Sequence, residues 1–500
     1  MYYNIIKNKS QHVLIILRGI NMKNKNQNGN GMLLFVLLAG MFVNLLNVSI
    51  INVMLPKIME QFQISASSAQ WLSTGFMLLT GIIITLVPFL SKKFQYKTLF
   101  NTAMIFLVIG SLLCFISPSF FILLFGRLVQ SVGYGLLLPL SMILVLAITP
   151  PEKRGVNMGI LGIGMMLAPA IGPTVAGIAI NYFNWQILFL IMAVVGTLVL
   201  VVSFMKFNYH NETQAARLDI IGIALSGAGL SALLYGISSA GNNGWSQLNV
   251  ITFILLGIVL LAVFTIVELK KKTVLLDLRV FKDYNFSSNV VVTMVLQMAF
   301  YGGLILMPIY FENVMGYSGL KTGLLLLPGS LLIGIMGIFS GKLYDKIGIK
   351  PLAITGTLIM AITAFLLSKL TPDTSYIQSL LSYTIFALGV SIVTTPITTA
   401  AFANVPQEQN SDAATLQNML RQVAGAIGTA VLITTMSNSA SDYVKILSDT
   451  INQQTSILAT NHGITTAFIL TIALCLFATV LSFFLTSRKT STMSKRRYGD

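Results

Sequence analysis

In the stretch "LLFGRLVQSVGYGLLLPL" (123–140) a single charge, Arg127, sits among apolar and small residues. A charge near the centre of a hydrocarbon layer costs about 2.5–3.5 kcal/mol even on lenient insertion scales. An arginine kept there has work to do. Its planar guanidinium offers several fixed donors, where lysine offers a point charge. Gln130, in the same run, is grouped with it as a lining residue. A second polar set lies in "MFVNLLNVSIINVMLP" (41–56), where Asn44, Asn47, Ser49 and Asn52 share one broad helical face. Lipid cannot satisfy amides, so these must meet protein or water. Cavity lining is the expectation; interhelical hydrogen bonding is the plainer alternative. If both stretches cross a bilayer, Arg127 lies roughly 10 Å below the outer surface, with Asn47 at similar depth. Asn47 could then accept a hydrogen bond from Arg127 without neutralising it.

The opposite charge is scarce. The chain has 15 Asp and Glu, and none falls in its first six apolar segments. Glu312, in "LMPIYFENVMG", is the best candidate for an exchangeable proton; the plainer reading is an interfacial carboxylate at a helix end. Glu268 is followed by "LKKK" and is expected to be solvated. Asp219 and Asp412 sit at the ends of apolar segments. Arg421 could pair with Gln417 or a carbonyl, or line the way in from the cytoplasm. His12, His210 and His462 are isolated, so clustered acid–base or metal catalysis has no support. Cys114 and Cys475 both lie in apolar runs and read as small hydrophobes. No cofactor or metal is expected.

Two further sets concern movement. "GILGIGMMLAPAIGPTVAG" (159–177) carries five glycines together with Pro169 and Pro173. Glycines such as Gly172 and Gly177 let another helix approach closely, and each proline deletes a backbone donor. A hinge-like interface helix is expected, with ordinary small-residue packing as the alternative. "GKLYDKIGIKPLA" (341–353) and "PFLSKKFQYKTLF" (88–100) are two short basic turns at equivalent positions. In the first, Gly341, Asp345 and Lys346 form a candidate latch, since Asp345 can meet the positive N-terminus of a helix.

The elements that must position these residues follow from composition. The 500 residues are 55% hydrophobic and only 9% charged, with mean hydropathy +0.82, so the bilayer must act as solvent. Fourteen segments approach the roughly 20 apolar residues that a spanning helix needs. Starting from a cytoplasmic N-terminus, alternating loops put 25 of the 31 Lys and Arg inside. That is the positive-inside pattern, and it reads the net charge of +16 as topology rather than nucleic-acid binding. Met22 is as good a translation start as Met1. The echo between the two basic turns predicts repeated halves around an inserted pair. Residues 1–32 form a cytoplasmic tail, 33–205 an N-terminal six-helix bundle and 206–285 an inserted two-helix region. Residues 286–486 form a C-terminal six-helix bundle and 487–500 a second cytoplasmic tail. Repeated halves of this kind are a transporter plan, with the substrate site between them. Residues 437–463 are expected as the longest hydrophilic segment between spans, on the outside.

On these residues the chain resembles the major facilitator superfamily, in particular its fourteen-span drug:proton antiporters of the EmrB/QacA type, including the lincomycin-resistance exporters. "LFGRLVQSVGYG" is similar to the family's fourth-span arginine motif, "APAIGPTVAG" to its fifth-span antiporter motif, "LNVSIINVMLP" to its first-span motif and "GKLYDKIGIK" to its turn motif. The family's usual Asp is Asn47 here, and the usual Gly and Asp of the first turn are Pro88 and Lys92. The resemblance implies an all-α polytopic membrane protein with the major facilitator fold. It also implies a proton-coupled exporter of small amphipathic compounds or antibiotics, monomeric, in the bacterial plasma membrane. A facilitator or importer of a small metabolite is the alternative; a polytopic membrane enzyme is the remote one. Without a GxxxxGK[ST] loop, nucleotide drive is not expected.

Overall fold

A computed structural model of the chain describes residues 31–486, apart from 52, 56, 65, 151–152, 214–218, 272–273 and 448–452. Among the described residues, 13 helices are long and apolar enough to cross a membrane. The 29-residue helix Arg154–Tyr182 stands between the fourth and fifth of them, so fourteen long helices follow one another as the sequence predicts. In chain order they are α1 (Gly31–Ile51), α2 (Ala66–Lys93), α3 (Tyr96–Phe115), α4 (Phe120–Ile148), α5 (Arg154–Tyr182), α6 (Gln186–Lys206) and α7 (Ile220–Asn243). There follow α8 (Leu248–Lys270), α9 (Tyr284–Ile309), α10 (Gly319–Ile347), α11 (Ile349–Leu367), α12 (Tyr376–Ala401), α13 (Asn410–Leu447) and α14 (Gln453–Ser482).

Apolar side chains all round let these helices sit in lipid, and their backbone bonds are satisfied internally. Their water-facing ends use ordinary caps. Asp219 accepts from the Gly222 N–H at 3.0 Å at the start of α7, and Asp283 from the Phe286 N–H at 2.9 Å at the start of α9. Between α10 and α11 a single residue, Gly348, turns the chain with φ +80°, a left-handed conformation that suits glycine.

Helices α1–α6 are called the first bundle and α9–α14 the second: α3 packs on α4 and α6, α2 on α4, α11 on α12 and α14, and α13 on α14, while α5 and α10 pack on each other across the two. One apolar core fills the second bundle. The core of the first bundle extends into the second, taking in Phe286, Val290, Phe402, Ala413, Leu416 and Met419. All six lie at one end of the molecule, where Lys92, Lys93, Lys97, Lys153, Lys342, Lys346 and Lys350 also fall. This is called the basic end below.

The inserted pair is anchored unevenly. Helix α8 touches little beyond α7, whereas α7 packs on both α2 and α13. The Ser231 hydroxyl donates to the Leu78 carbonyl at 2.8 Å, and Trp245 Nε1 donates to Thr434 Oγ1 at 3.1 Å. At its basic end the pair is clamped by ions. Glu268, expected in water, is only 1% exposed. It accepts from the Leu275 N–H at 2.7 Å and from Lys271 Nζ at 3.3 Å, so the chain folding back over it removes it from solvent. Lys271 also donates to Asp219. Burial works against ionising Asp219, but the bonds from Lys271 and the Gly222 N–H outweigh it and hold the carboxyl below the usual carboxylate range.

Much of the hydrophilic segment 437–463 is helical: α13 continues to Leu447 and α14 begins at Gln453. Tyr443 stacks on His462 with ring centroids 4.3 Å apart, and Ser439 Oγ lies 3.1 Å from His462 Nδ1. These contacts zip the hairpin together beyond the apolar region. Residues 1–30 and 487–500, including both candidate start methionines, lie outside the described residues.

Candidate functional site

Arg127 is 1% exposed and its surroundings answer for its charge with oxygens. Nη1 donates to Gln130 Oε1 at 2.9 Å, to Asn47 Oδ1 at 3.1 Å and to the Asn47 carbonyl at 3.3 Å. Nε reaches the Leu72 carbonyl at 3.5 Å. The guanidinium lies over the Phe76 ring, 4.5 Å from its centroid, a favourable cation–π placement. Gln130 is itself held by its Nε2 donating to Ser111 Oγ at 2.9 Å. Among the described residues no carboxylate pairs with Arg127. Helices α1, α2, α3 and α4 thus meet on one buried cation. Phe76, Ser111 and the Leu72 carbonyl were not legible as partners, because nothing in α2 or α3 marks them apart from other apolar or hydroxyl positions.

The other residues of the first-span set divide. Asn44 is buried, donates to the Gly40 carbonyl at 2.9 Å and faces Met104 of α3, which places it between helices. Asn52 lies outside the described residues. On α5 the glycines serve two neighbours. A methyl group on Gly172 would fall 2.5 Å from Ser49 Cβ of α1, so that end packs within its own bundle. Near the basic end the neighbour is α10, from the other bundle: Gly155 lies against the Gly341 carbonyl and Gly159 against that of Gly337. Backbones meet there with no side chain between them. Asp345 Oδ1 sits beside Gly155 in the first turn of α5, where a helix N-terminus favours negative charge. Lys346 is exposed. Gly177 has nothing within 4 Å of where a Cβ would stand. The side chains of Pro169 and Pro173 are outside the described ones.

The same end is joined by an ion pair between bundles. Lys92 Nζ, at the end of α2, lies 3.2 Å from Asp412 Oδ2 of α13, with the side chains 34% and 2% exposed. The partner of this turn's Lys92 is thus an acid 320 residues away in the chain. Asn418, further along α13, donates to Met142 Sδ of α4 at 3.0 Å.

Above this seal, between α4, α5, α10, α12 and α13, lies a cavity of about 30 Å³ lined by Met142, Met158, Leu161, Gly162, Met165, Ile333, Ser391, Thr394, Thr395, Thr398 and Arg421. It has room for about two waters at about 10–15 Å³ each and is far smaller than the roughly 300–1,000 Å³ of ligand pockets. Arg421 is not paired with Gln417, whose two amide atoms have no partner among the described residues. Glu312 lies elsewhere. It is exposed, on a π-turn (Tyr310–Val314) that packs on α9, α10 and α14 of the second bundle and not on α4.

Two bundles of membrane helices closing on a small central cavity from one end define a polytopic solute transporter. Residues 37–429 match the model of the Major Facilitator Superfamily, and the chain belongs to that superfamily. It is 40% identical over 427 residues to the uncharacterized MFS-type transporter YhcA of Bacillus subtilis (strain 168), covering 85% of this chain and 80% of YhcA. It is 32% identical over 452 residues to the lincomycin resistance protein LmrB of the same organism, covering 90% and 94% of the two chains. The human transporter MFSD10 (TETRAN) shares the fold with a TM-score of 0.63 at 14% identity, over 90% of this chain and 99% of that one.

Proposed function

We propose that the chain is a proton-coupled exporter of small amphipathic compounds, working by alternating access in a bacterial plasma membrane with the basic end in the cytoplasm. The observation that carries this reading is the seal at the basic end. It is built from the Gly155–Gly341 and Gly159–Gly337 approaches and from Lys92–Asp412, which all join one bundle to the other. Such contacts can be made and broken as units when two rigid bundles rock, and the contracted cavity lies directly above them. Arg127, which holds four helices of the first bundle without a carboxylate, is its conformational pivot. Glu312 and Asp412 are the two acids proposed for the proton. The relatives named for drug resistance support the substrate class.

Whole-cell efflux of a dye panel, with and without a protonophore, tests the reading. Expected is outward, protonophore-sensitive movement that depends on Arg127. Protonophore-insensitive equilibration would make the protein a facilitator, and net accumulation inside would make it an importer.

A further inference from the structure

We propose that the cavity between the bundles receives an amphipathic anion, with Arg421 as its counter-charge; this rests on the exporter reading and specifies its substrate. Arg421 is the one charged residue lining the cavity. Eleven residues into α13 from Asn410, it stands roughly 16 Å from the basic end, near mid-membrane. It takes part in none of the ion pairs among the described residues. Two phenols, Tyr301 of α9 and Tyr134 of α4, are close enough to act on its charge. Of the acids at the basic end, Asp412 is paired with Lys92 and Asp345 lies beside the start of α5. An unpaired membrane guanidinium marks a functional position.

A second observation points the same way. Gln417, one turn before Arg421 and on the same face of α13, is fully buried with both amide atoms unpartnered. Buried polar groups are almost always paired, so an orphaned amide one turn from an unpaired cation leaves hydrogen-bonding capacity unfilled in this part of α13. A carboxylate, sulfonate or phenolate head in the cavity would meet the guanidinium of Arg421. A permanent cation would meet Arg421 with no acid to hold it. The lining also includes Met142, Met158 and Met165, whose flexible, polarizable side chains suit apolar bodies of varied shape. The guest enters as the bundles part and the cavity widens.

The test reconstitutes the full-length protein in liposomes under an imposed pH gradient and compares two probes, the anionic dye anilinonaphthalene sulfonate and the permanent cation ethidium. Expected is gradient-driven transport of the sulfonate, reduced at least ten-fold in Arg421→Gln and partly kept in Arg421→Lys. Gradient-driven transport of ethidium alone would overturn the anion proposal and leave the exporter reading standing. Transport of neither would overturn both. Sulfonate transport untouched by Arg421→Gln would remove Arg421 as counter-charge. Gel filtration and thermal melting report folding. Should Arg421→Gln fail to fold, Arg421→Lys decides: a raised KM for the sulfonate at unchanged kcat supports the proposal, and an unchanged KM overturns it.

Discussion

Arg127 shows how a membrane protein can hold a charge without an opposite one. Three amide or carbonyl oxygens within 3.3 Å of Nη1 and an aromatic face stand in for an acid. Arg127→Ala should abolish efflux, by ten-fold or more, while expression and membrane insertion persist; a folded variant with wild-type efflux would end its role as pivot. Arg127→Lys should fail nearly as far, because a point charge cannot reach the same set of oxygens. The Arg127–Asn47 contact was legible, since each residue's distance from its helix end fixes its depth. Lys92–Asp412 was not, because separation along the chain carries no register between bundles. That pair yields an asymmetric prediction. Lys92→Ala strands a carboxylate that is 2% exposed, whereas Asp412→Asn leaves a lysine 34% exposed that can turn to water. Thermal melting of the purified variants should show the larger loss for Lys92→Ala, and the double variant should recover part of it. Equal losses would mean the pair adds nothing to closure.

At the scale of the element, α5 does two jobs with one glycine-rich sequence. The sequence shows a surface for close approach but not which neighbour takes which glycine. The structure gives Gly172 to α1 and Gly155 and Gly159 to α10. Gly341→Ala would drive a methyl into the Gly155 carbonyl. Overpacking of this kind costs about 1–3 kcal/mol, enough to move a two-state equilibrium by about 5- to 150-fold. Expected is a transporter biased open at the basic end, read as faster labelling of Val156→Cys. Gly177→Ala, with open space around it, should transport like the wild type. If the two alanines behave alike, steric closure at Gly341 is wrong. The long α13 escaped the sequence reading because beyond 436 its residues are polar. A helix standing in water has no apolar run to announce it.

For the whole molecule, apolar runs and the segregation of 25 of 31 basic residues made the number of helices legible, while the closed end and the seat of the inserted pair depend on tertiary contacts with no local signature. Orientation is testable directly. Cys114 and Cys475 are buried, so new surface cysteines report alone. An impermeant thiol reagent on intact cells should label Ser441→Cys and spare Lys282→Cys; the reverse would invert the protein in the membrane. The seat of α7 has a consequence for traffic within the bilayer. Two rocking bundles leave two long crevices between them, one on each side, through which lipid-dissolved molecules could slip. Helix α7 lies along one crevice, bonded to α2 at Leu78, and Trp245 just beyond its end is bonded to α13 at Thr434. That side is shuttered, so a solute arriving sideways from the membrane would have to come by the other flank, which α5 and α10 close by backbone contact near the basic end.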